Sequence, residues 1–162
     1  MANVGIIYGS NKGDAKDVAE FVGANFDAEI IDAQNLTADF FTRFTRFIFV
    51  ASTHAYGELQ KDFKAKLNLV AEADFKGKTI ALVGVGNQER HPETFNDGLV
   101  EFLPLIRGAK LVGSSEVGNY TNFTNSLSLI NGKFVGLVVD YKGDENWKER
   151  ANAWVTALKP VF

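Results

Sequence analysis

Three loops of this sequence contain residue types that can bind a small charged molecule. The first, residues 9–15, has two glycines and a serine between an apolar run and a segment of helical period. Small residues let backbone N–H groups converge, and a helix N-terminus adds partial positive charge, so we predict a phosphate site in this loop. An ordinary glycine-containing turn is the alternative from this loop alone, and the Walker A pattern Gly-x-x-x-x-Gly-Lys-Ser/Thr is absent.

The second and third loops, residues 52–60 and 84–92, contain the two histidines of the chain, His54 and His91. A single loop histidine is usually just solvated, but two at one end of the same sheet suggest a pocket. A Gly-x-Gly pair in the third loop does not indicate a dinucleotide site, because the third glycine of that pattern is missing and the loop follows the fourth predicted strand.

The elements that position these loops follow a regular alternation. Short apolar runs alternate with segments of helical period, which predicts an α/β three-layer sandwich: a five-stranded parallel sheet with helices on both faces. Ligands of such sheets bind beyond the carboxyl ends of the strands, where all three loops begin. We predict strands at 4–8, 28–31, 47–51, 79–85 and 109–112, and helices at 15–26, 59–70, 93–106 and 147–158.

The segment 113–132 interrupts this alternation with a polar sequence rich in Ser, Asn, Thr and Gly. Because the strand-like residues 133–139 follow it, we predict an insertion in the last strand. The length of 162 residues is that of one domain, and no repeat or linker divides it, so we predict a single domain spanning 1–162.

Composition excludes several classes of function. The 17 basic and 20 acidic residues give a net charge of −3 without a basic stripe, so we expect no nucleic-acid partner. The absence of cysteine excludes disulfides, thiolate catalysis and cysteine-bound metal, and we predict no metal site. The sequence starts without a basic leader and has no apolar stretch of membrane-spanning length, so we expect a cytoplasmic protein that does not contact membranes.

Taken together, the three loops resemble those of long-chain flavodoxins, and the match runs from residue 4 to about residue 158. The segments that carry it are Tyr-Gly-Ser at 8–10, Gly-Glu-Leu-Gln at 57–60, Gly-Asn-Gln at 86–88 and Asn-Gly-Lys-Phe-Val-Gly-Leu at 131–137. The resemblance implies a flavodoxin-like fold and a noncovalently bound FMN. It also implies a monomeric, low-potential electron carrier, which shuttles single electrons between a flavodoxin reductase and an acceptor enzyme and has no substrate of its own.

The resemblance also assigns site residues. The FMN phosphate is expected on the first loop, and the isoalloxazine ring is expected between the second and third loops. The cofactor-binding residues implied are Ser10, Asn11, Lys12, Gly13, Asp14 and Ala15, then Ser52, Thr53, His54, Ala55, Tyr56 and Gly57, and finally Gly86, Asn87, His91 and Thr94. No catalytic residue is implied.

Two departures from the family pattern weaken the expected binding of FMN. Lys12 and Ala15 stand at positions where the family usually has hydroxyls, so two phosphate hydrogen bonds are lost unless Lys12 turns inward and supplies charge. His54 and His91 replace the aromatic residues that commonly sandwich the flavin, and imidazole offers less stacking area. Tyr56 is close enough in sequence to cover one face instead.

Two further departures concern charge. Asn87 replaces the usual Asp, Lys12 and Arg90 add positive charge to the rim, and the segment 140–142 reads Asp-Tyr-Lys where the family often has an acidic cluster. With fewer anions around the ring, formation of the reduced flavin anion should be less disfavoured than in acidic relatives. The weak net charge also predicts an atypical partner surface, since strongly acidic flavodoxins are steered to basic partners.

Two hypotheses concern mechanism. The Ala55–Tyr56 peptide is expected to turn on reduction, because it occupies the loop position where family members make such a switch. His91 is expected to take up a proton as the flavin becomes anionic, because histidine changes charge near neutral pH.

Three alternative functions bear on the same residues. A receiver domain is excluded, since its acidic pair is absent after the first strand. A small FMN-dependent oxidoreductase, and a flavodoxin-like binding module that has lost FMN, both stay open.

Overall fold

The computed structural model describes residues 3–54 and 56–162. The strands are β1 (Val4–Gly9), β2 (Ala28–Asp32), β3 (Arg46–His54), β4 (Glu58–Leu59), β5 (Thr79–Gly86), β6 (Lys110–Val112), β7 (Leu129–Ile130), β8 (Lys133–Phe134) and β9 (Leu137–Asp140). The α-helices are α1 (Asp14–Gly23), α2 (Lys61–Lys64), α3 (Leu67–Glu72) and α4 (Trp147–Leu158), and 3-10 segments cover Ala33–Asn35, Ala38–Thr42 and Asp97–Leu105.

The main sheet confirms the predicted parallel architecture. Its strand order is β2-β1-β3-β5-β6, and β9 also pairs with β5. All these pairs are parallel, whereas the short β4 adds to β3 in the antiparallel direction. The order reverses at β1 and β3, so the loops after these two strands flank the crevice in which such sheets bind ligands.

The predicted insertion in the last strand is confirmed by the register of β5. Residues Thr79–Ala81 pair with β6, and Val83–Gly86 pair with β9, so the two pieces occupy successive stretches of the same edge. Between them the chain leaves the sheet and forms the β7–β8 hairpin. Asn131 and Gly132 turn this hairpin with φ of 54° and 82°, as a two-residue turn of left-handed residues requires.

The two faces of the sheet bury different side chains. Phe47 and Phe49 of β3 point to a core rich in phenylalanine beneath α2, α3 and the segment Asp97–Leu105, and Ile48 and Val50 point to a mainly aliphatic core beneath α1 and α4. All four side chains are fully buried. Helices on both faces are therefore confirmed, and burial on both sides explains why the strands are continuous apolar runs.

Two predicted helices differ from the observed elements. Residues 59–70 form a short strand and two short helices, because β4 pairs with β3 and the Gln60 side chain caps α2 by accepting from the Phe63 N–H. Residues 93–106 form the 3-10 segment Asp97–Leu105 after a series of turns, since Asn96 is left-handed with φ of 57° and Pro104 has no N–H to donate. Within the described residues, no helix is both long enough and apolar enough to cross a bilayer.

Candidate functional site

The first loop ends at the N-terminus of α1 and presents backbone donors there. Gly13 has φ of 92°, a left-handed conformation that glycine adopts without steric cost, and its N–H donates to Ser10 Oγ at 2.9 Å. Among the described residues, no side chain caps the start of α1 at Asp14. The free N–H groups and the helix dipole suit the loop to an anion, and Lys12 adds a positive charge beside them.

Gln60 ties the first loop to the second. This side chain is fully buried, and its Nε2 donates to Asn11 Oδ1 at 2.8 Å and to Asp62 Oδ2 at 2.9 Å. Its Oε1 accepts from the Phe63 N–H at 3.0 Å. Gly9 must be glycine here, because a Cβ would lie 2.2 Å from Gln60 Oε1. The first loop is therefore tied at Asn11 to a buried side chain.

The second loop begins inside the sheet and leaves it over a few residues. Thr53 is buried at the end of β3, and its Oγ1 accepts from the Gly98 N–H at 3.0 Å. Ser52 and His54 point to the opposite face, where Ser52 Oγ lies 2.7 Å from His54 Nε2. Because side chains alternate along a strand, both polar groups meet at the same side of the crevice.

The electrostatics of the crevice favour a neutral His54. Burial lowers the pKa of His54, and the positive charges of His91 and Lys12 lower this pKa further, while Asp14 opposes them. His54, His91 and Lys12 line the same cavity, so the three loops converge. At neutral pH, His54 therefore acts as a neutral planar group with one donor and one acceptor nitrogen.

The third loop is turned by Asn87. Its Oδ1 accepts from the Arg90 N–H at 3.0 Å, and its backbone carbonyl accepts from the His91 N–H at 3.0 Å. These two bonds close a turn that brings the Arg90 and His91 side chains back toward the crevice.

Gln88 anchors the third loop to the rest of the chain. It is buried, its Nε2 donates to the buried Asp140 Oδ2 at 3.0 Å, and its Oε1 accepts from the Asn122 N–H at 3.0 Å. One side chain thus joins the third loop, the end of β9 and the insertion. The segment after β9 is thereby held next to the third loop.

The three loops enclose one cavity of about 270 Å³ at the carboxyl ends of the strands. This volume is close to the lower end of the range of about 300–1,000 Å³ for small-molecule pockets. The predicted residues that line it are Ser10, Asn11, Lys12, Asp14, Ala15, Ser52, Thr53, His54, Gly86, Asn87 and His91. The proton-uptake hypothesis requires His91 in this lining, and the structure places it there.

Four predicted residues lie outside the lining, and one lies outside the described residues. Gly13 shapes the first loop through its backbone. Gly57 has φ of 89° and lies beside Thr94. These three residues therefore support the loops that surround the cavity. Tyr56 is 97% exposed and does not cover a face of the cavity. The expected turn of the Ala55–Tyr56 peptide involves Ala55, which is outside the described part of the chain.

Three lining residues were not among the predicted site residues: Val85, Arg90 and Lys142. Arg90 and Lys142 had a signal in the sequence, since both are cations in segments that follow strands of the sheet. In residues 3–54 and 56–162, no group of three or more histidine or acidic side chains is arranged to hold a metal ion. Fold and cavity together define an α/β protein with a small-molecule crevice at the point where the strand order reverses.

Comparison with known proteins assigns the family. The flavodoxin family model matches residues 6–154. The chain is 36% identical to the flavodoxin of Helicobacter pylori, over 100% of this chain and 99% of that one, and 34% identical to flavodoxin 1 of Azotobacter vinelandii, over 100% and 98%. The crystal structure of Fusobacterium nucleatum flavodoxin bound to flavin mononucleotide superposes with a TM-score of 0.92 at 27% identity, covering 100% of this chain and 99% of that one.

The chain belongs to the flavodoxin family. The resemblance inferred from its loops is confirmed, and so is the flavodoxin-like fold.

Proposed function

We propose that this chain is a low-potential electron carrier that holds one FMN noncovalently in the cavity between its three loops. It passes single electrons from a reductase to an acceptor enzyme through transient contacts, as a cytoplasmic monomer. The observation that carries the proposal is the cavity itself, which joins the N-terminus of α1 to the ends of β3 and β5. Family membership supplies the class of protein, and the cavity supplies a place for its cofactor.

The residues of the first loop fit a phosphate. The N–H groups at the start of α1 and the Lys12 ammonium offer donors and positive charge, and Ser10 keeps its hydroxyl hydrogen free because Oγ accepts from Gly13. Ala15 is buried and offers no hydroxyl. We therefore assign the phosphate to backbone donors, Ser10 and Lys12.

The second and third loops fit a flat ring. His54 and His91 are both partly exposed and line the same cavity, so one ring can contact two imidazoles. Asn87 is occupied within its own loop, where it accepts from Arg90 and His91, so its side chain shapes the pocket rather than reaching out of it. FMN would supply the one-electron chemistry, and these residues would bind and orient it.

A carrier explains the site better than an enzyme with its own substrate. The Ser52–His54 pair, at 2.7 Å, is the arrangement nearest to an activated nucleophile. Among the described residues, Ser52 is the only hydrogen-bond partner of the His54 ring, so the third group that orients a catalytic base is missing. The second candidate is a binding module without FMN, because Lys12, Ala15 and the histidines depart from the usual cofactor loops.

The test is a titration of the apoprotein with FMN and with riboflavin, which lacks the phosphate. We expect a yellow holoprotein, tighter binding of FMN than of riboflavin, and a loss of about tenfold in FMN affinity for Lys12→Gln, since one charge-assisted contact of about 1.4 kcal/mol corresponds to that factor. The control is Lys16→Gln, because Lys16 is an exposed cation in the first turn of α1 that does not line the cavity. This variant should bind FMN as the parent does. A colourless protein that ignores added FMN would refute the carrier and favour the binding module.

A further inference from the structure

The cavity carries more positive charge than one phosphate site requires. Its lining contains three permanent cations, Lys12, Arg90 and Lys142, and one acidic side chain, Asp14. None of the ion pairs formed within residues 3–54 and 56–162 involves any of the three cations. The acidic neighbours of Arg90 in the third loop are exposed and do not line the cavity, so they do not neutralise its interior.

The three cations lie on different sides of the site. Lys12 follows β1, whereas Arg90 follows β5 and Lys142 follows β9. In the sheet, β3 separates β1 from β5, and β5 pairs directly with β9. Arg90 therefore lies on the side of the cavity away from the first loop, next to the space assigned to the flavin ring, whereas Lys142 follows Tyr141, which contacts both Gly86 and α1.

The turn that carries Lys142 is held by bonds of its neighbouring residues. Asp140 Oδ1 accepts from the Gly143 N–H at 3.0 Å and closes the turn that carries Lys142. The Tyr141 N–H donates to the Gly86 carbonyl at 3.3 Å, and the Tyr141 hydroxyl donates to an oxygen of Asp17 in α1 at 2.6 Å.

The bond between the Tyr141 hydroxyl and Asp17 is exposed. It is the main cause that raises the pKa of Tyr141 to about 12, so the phenol keeps its proton and continues to donate. The turn is thereby fixed against both α1 and the end of β5. The backbone of Arg90 is fixed in the third loop, because its N–H donates to Asn87 Oδ1.

We propose that Arg90 and Lys142 form a cationic wall that stabilises the negative charge which bound FMN gains on reduction. This proposal rests on the proposed FMN site and adds a role to two residues that line the cavity but were not assigned to cofactor binding. A cation close to a developing anion lowers its free energy, and both residues line the cavity. The electron itself comes from the reductase, or from dithionite in a titration, and no proton need follow it.

The test compares two double variants that lose the same charge. Arg90→Gln/Lys142→Gln removes the cationic wall, and Lys76→Gln/Arg107→Gln removes two exposed cations that precede β5 and β6 at the opposite end of the sheet. Each protein is loaded with FMN, its dissociation constant for oxidised FMN is measured, and the midpoint potentials of both electrons are determined by spectroelectrochemistry. Unfolding by urea checks that each variant is folded.

We expect the cationic-wall variant to bind the fully reduced anion about tenfold less well relative to one-electron-reduced FMN. This factor moves the potential of the second electron about 59 mV to more negative values. The shift should shrink in high salt, since both side chains are exposed, and each single variant should give about half of it. The control variant should keep the potentials of the parent.

Two outcomes would overturn the proposal while leaving the proposed function intact. Equal potentials in the cationic-wall and control variants would show that these cations do not stabilise the reduced anion. Weaker binding of oxidised FMN with unchanged potentials would assign them to the phosphate instead, because both redox states carry it. A parent protein that binds no FMN would overturn both proposals.

Discussion

The first and second loops border the same cavity but are built in different ways. The first loop is bonded to Gln60, which is fully buried and makes three hydrogen bonds. The second loop runs from the buried Thr53 to Tyr56, which is 97% exposed, within a few residues. The first loop is thus held by the interior of the protein, and the tip of the second projects into solvent.

We infer from this difference that the first loop determines the affinity for FMN, whereas the residues around the flavin ring adjust its redox properties. A phosphate needs several donors aimed at one point, and a buried frame supplies that geometry in advance. The part of the cavity assigned to the flavin ring needs groups whose charge and contacts adjust as the electron arrives. Partly exposed side chains such as His54 are groups of this kind. We expect substitutions in the frame to reduce stability and FMN binding together, and substitutions at the rim to alter FMN binding, its potentials or the pH response with little effect on stability.

The largest effect should come from Gln60→Ala, which removes the frame of the first loop. It leaves the Phe63 N–H and Asn11 Oδ1 without partners, so we expect a loss of about 2–4 kcal/mol in the free energy of unfolding. FMN affinity should fall by about tenfold, since each 1.4 kcal/mol of misplaced donors corresponds to that factor. Urea unfolding of the apoprotein and FMN titration measure the two quantities.

Gln34→Ala is the matched control for this variant. Gln34 is exposed and also donates to Asp62 Oδ2, at 3.1 Å. An exposed hydrogen bond of this kind should change stability by less than about 0.5 kcal/mol and leave FMN binding intact. If Gln60→Ala behaves like Gln34→Ala, the first loop does not depend on its buried frame, and the contrast with the second loop is wrong.

A smaller effect is expected at the rim, from the protonation of His54. Its pKa is lowered in the folded protein, chiefly by burial, below the ordinary value of 6.5. The stabilisation from keeping this ring neutral is complete above pH 6.5 and is lost as the pH falls from there to the lowered pKa, because the unfolded chain then binds the proton first.

NMR titration of the two histidine rings measures this shift directly. The His54 midpoint of the apoprotein should lie below that of histidine in the urea-unfolded chain. His54→Asn should lose less stability than the parent between pH 7.5 and pH 5.5. Parallel stability profiles for the two proteins would show that His54 is not buried enough to resist protonation, and the rim would then be more open than the structure indicates.

The sequence predicted the strands well because their signal is local. Phe47 to Ala51 and Thr79 to Val85 are continuous apolar runs, which only a strand buried on both faces accommodates at that length. The helices after β3 and β5 were less predictable. Their breaks depend on Gln60 capping α2 and on the left-handed Asn96, and neither side-chain bonding nor a positive φ at asparagine follows from hydrophobic period.

The site was predictable as far as topology determines it. Loops that leave parallel strands at the same edge must converge, so His54 and His91 could be brought together from sequence alone. Which side chains turn inward depends on tertiary bonds. The Asn87 turn brings Arg90 to the cavity, the Asp140 turn brings Lys142, and nothing comparable draws Tyr56 inward.

Tyr56 gives the smallest effect and the sharpest test of the comparison. Because Tyr56 is 97% exposed, Tyr56→Ser should change the free energy of unfolding of the apoprotein by less than about 0.5 kcal/mol. Affinity for FMN should change by less than about threefold if the ring lies between His54 and His91 alone, since a stacked aromatic contact is worth about 0.5–1.5 kcal/mol. A loss of tenfold or more, with apoprotein stability unchanged, would mean that the tip of the second loop folds over the cofactor on binding. The second loop would then be a mobile cover rather than a fixed wall, and the contrast with the first loop would extend from structure to motion.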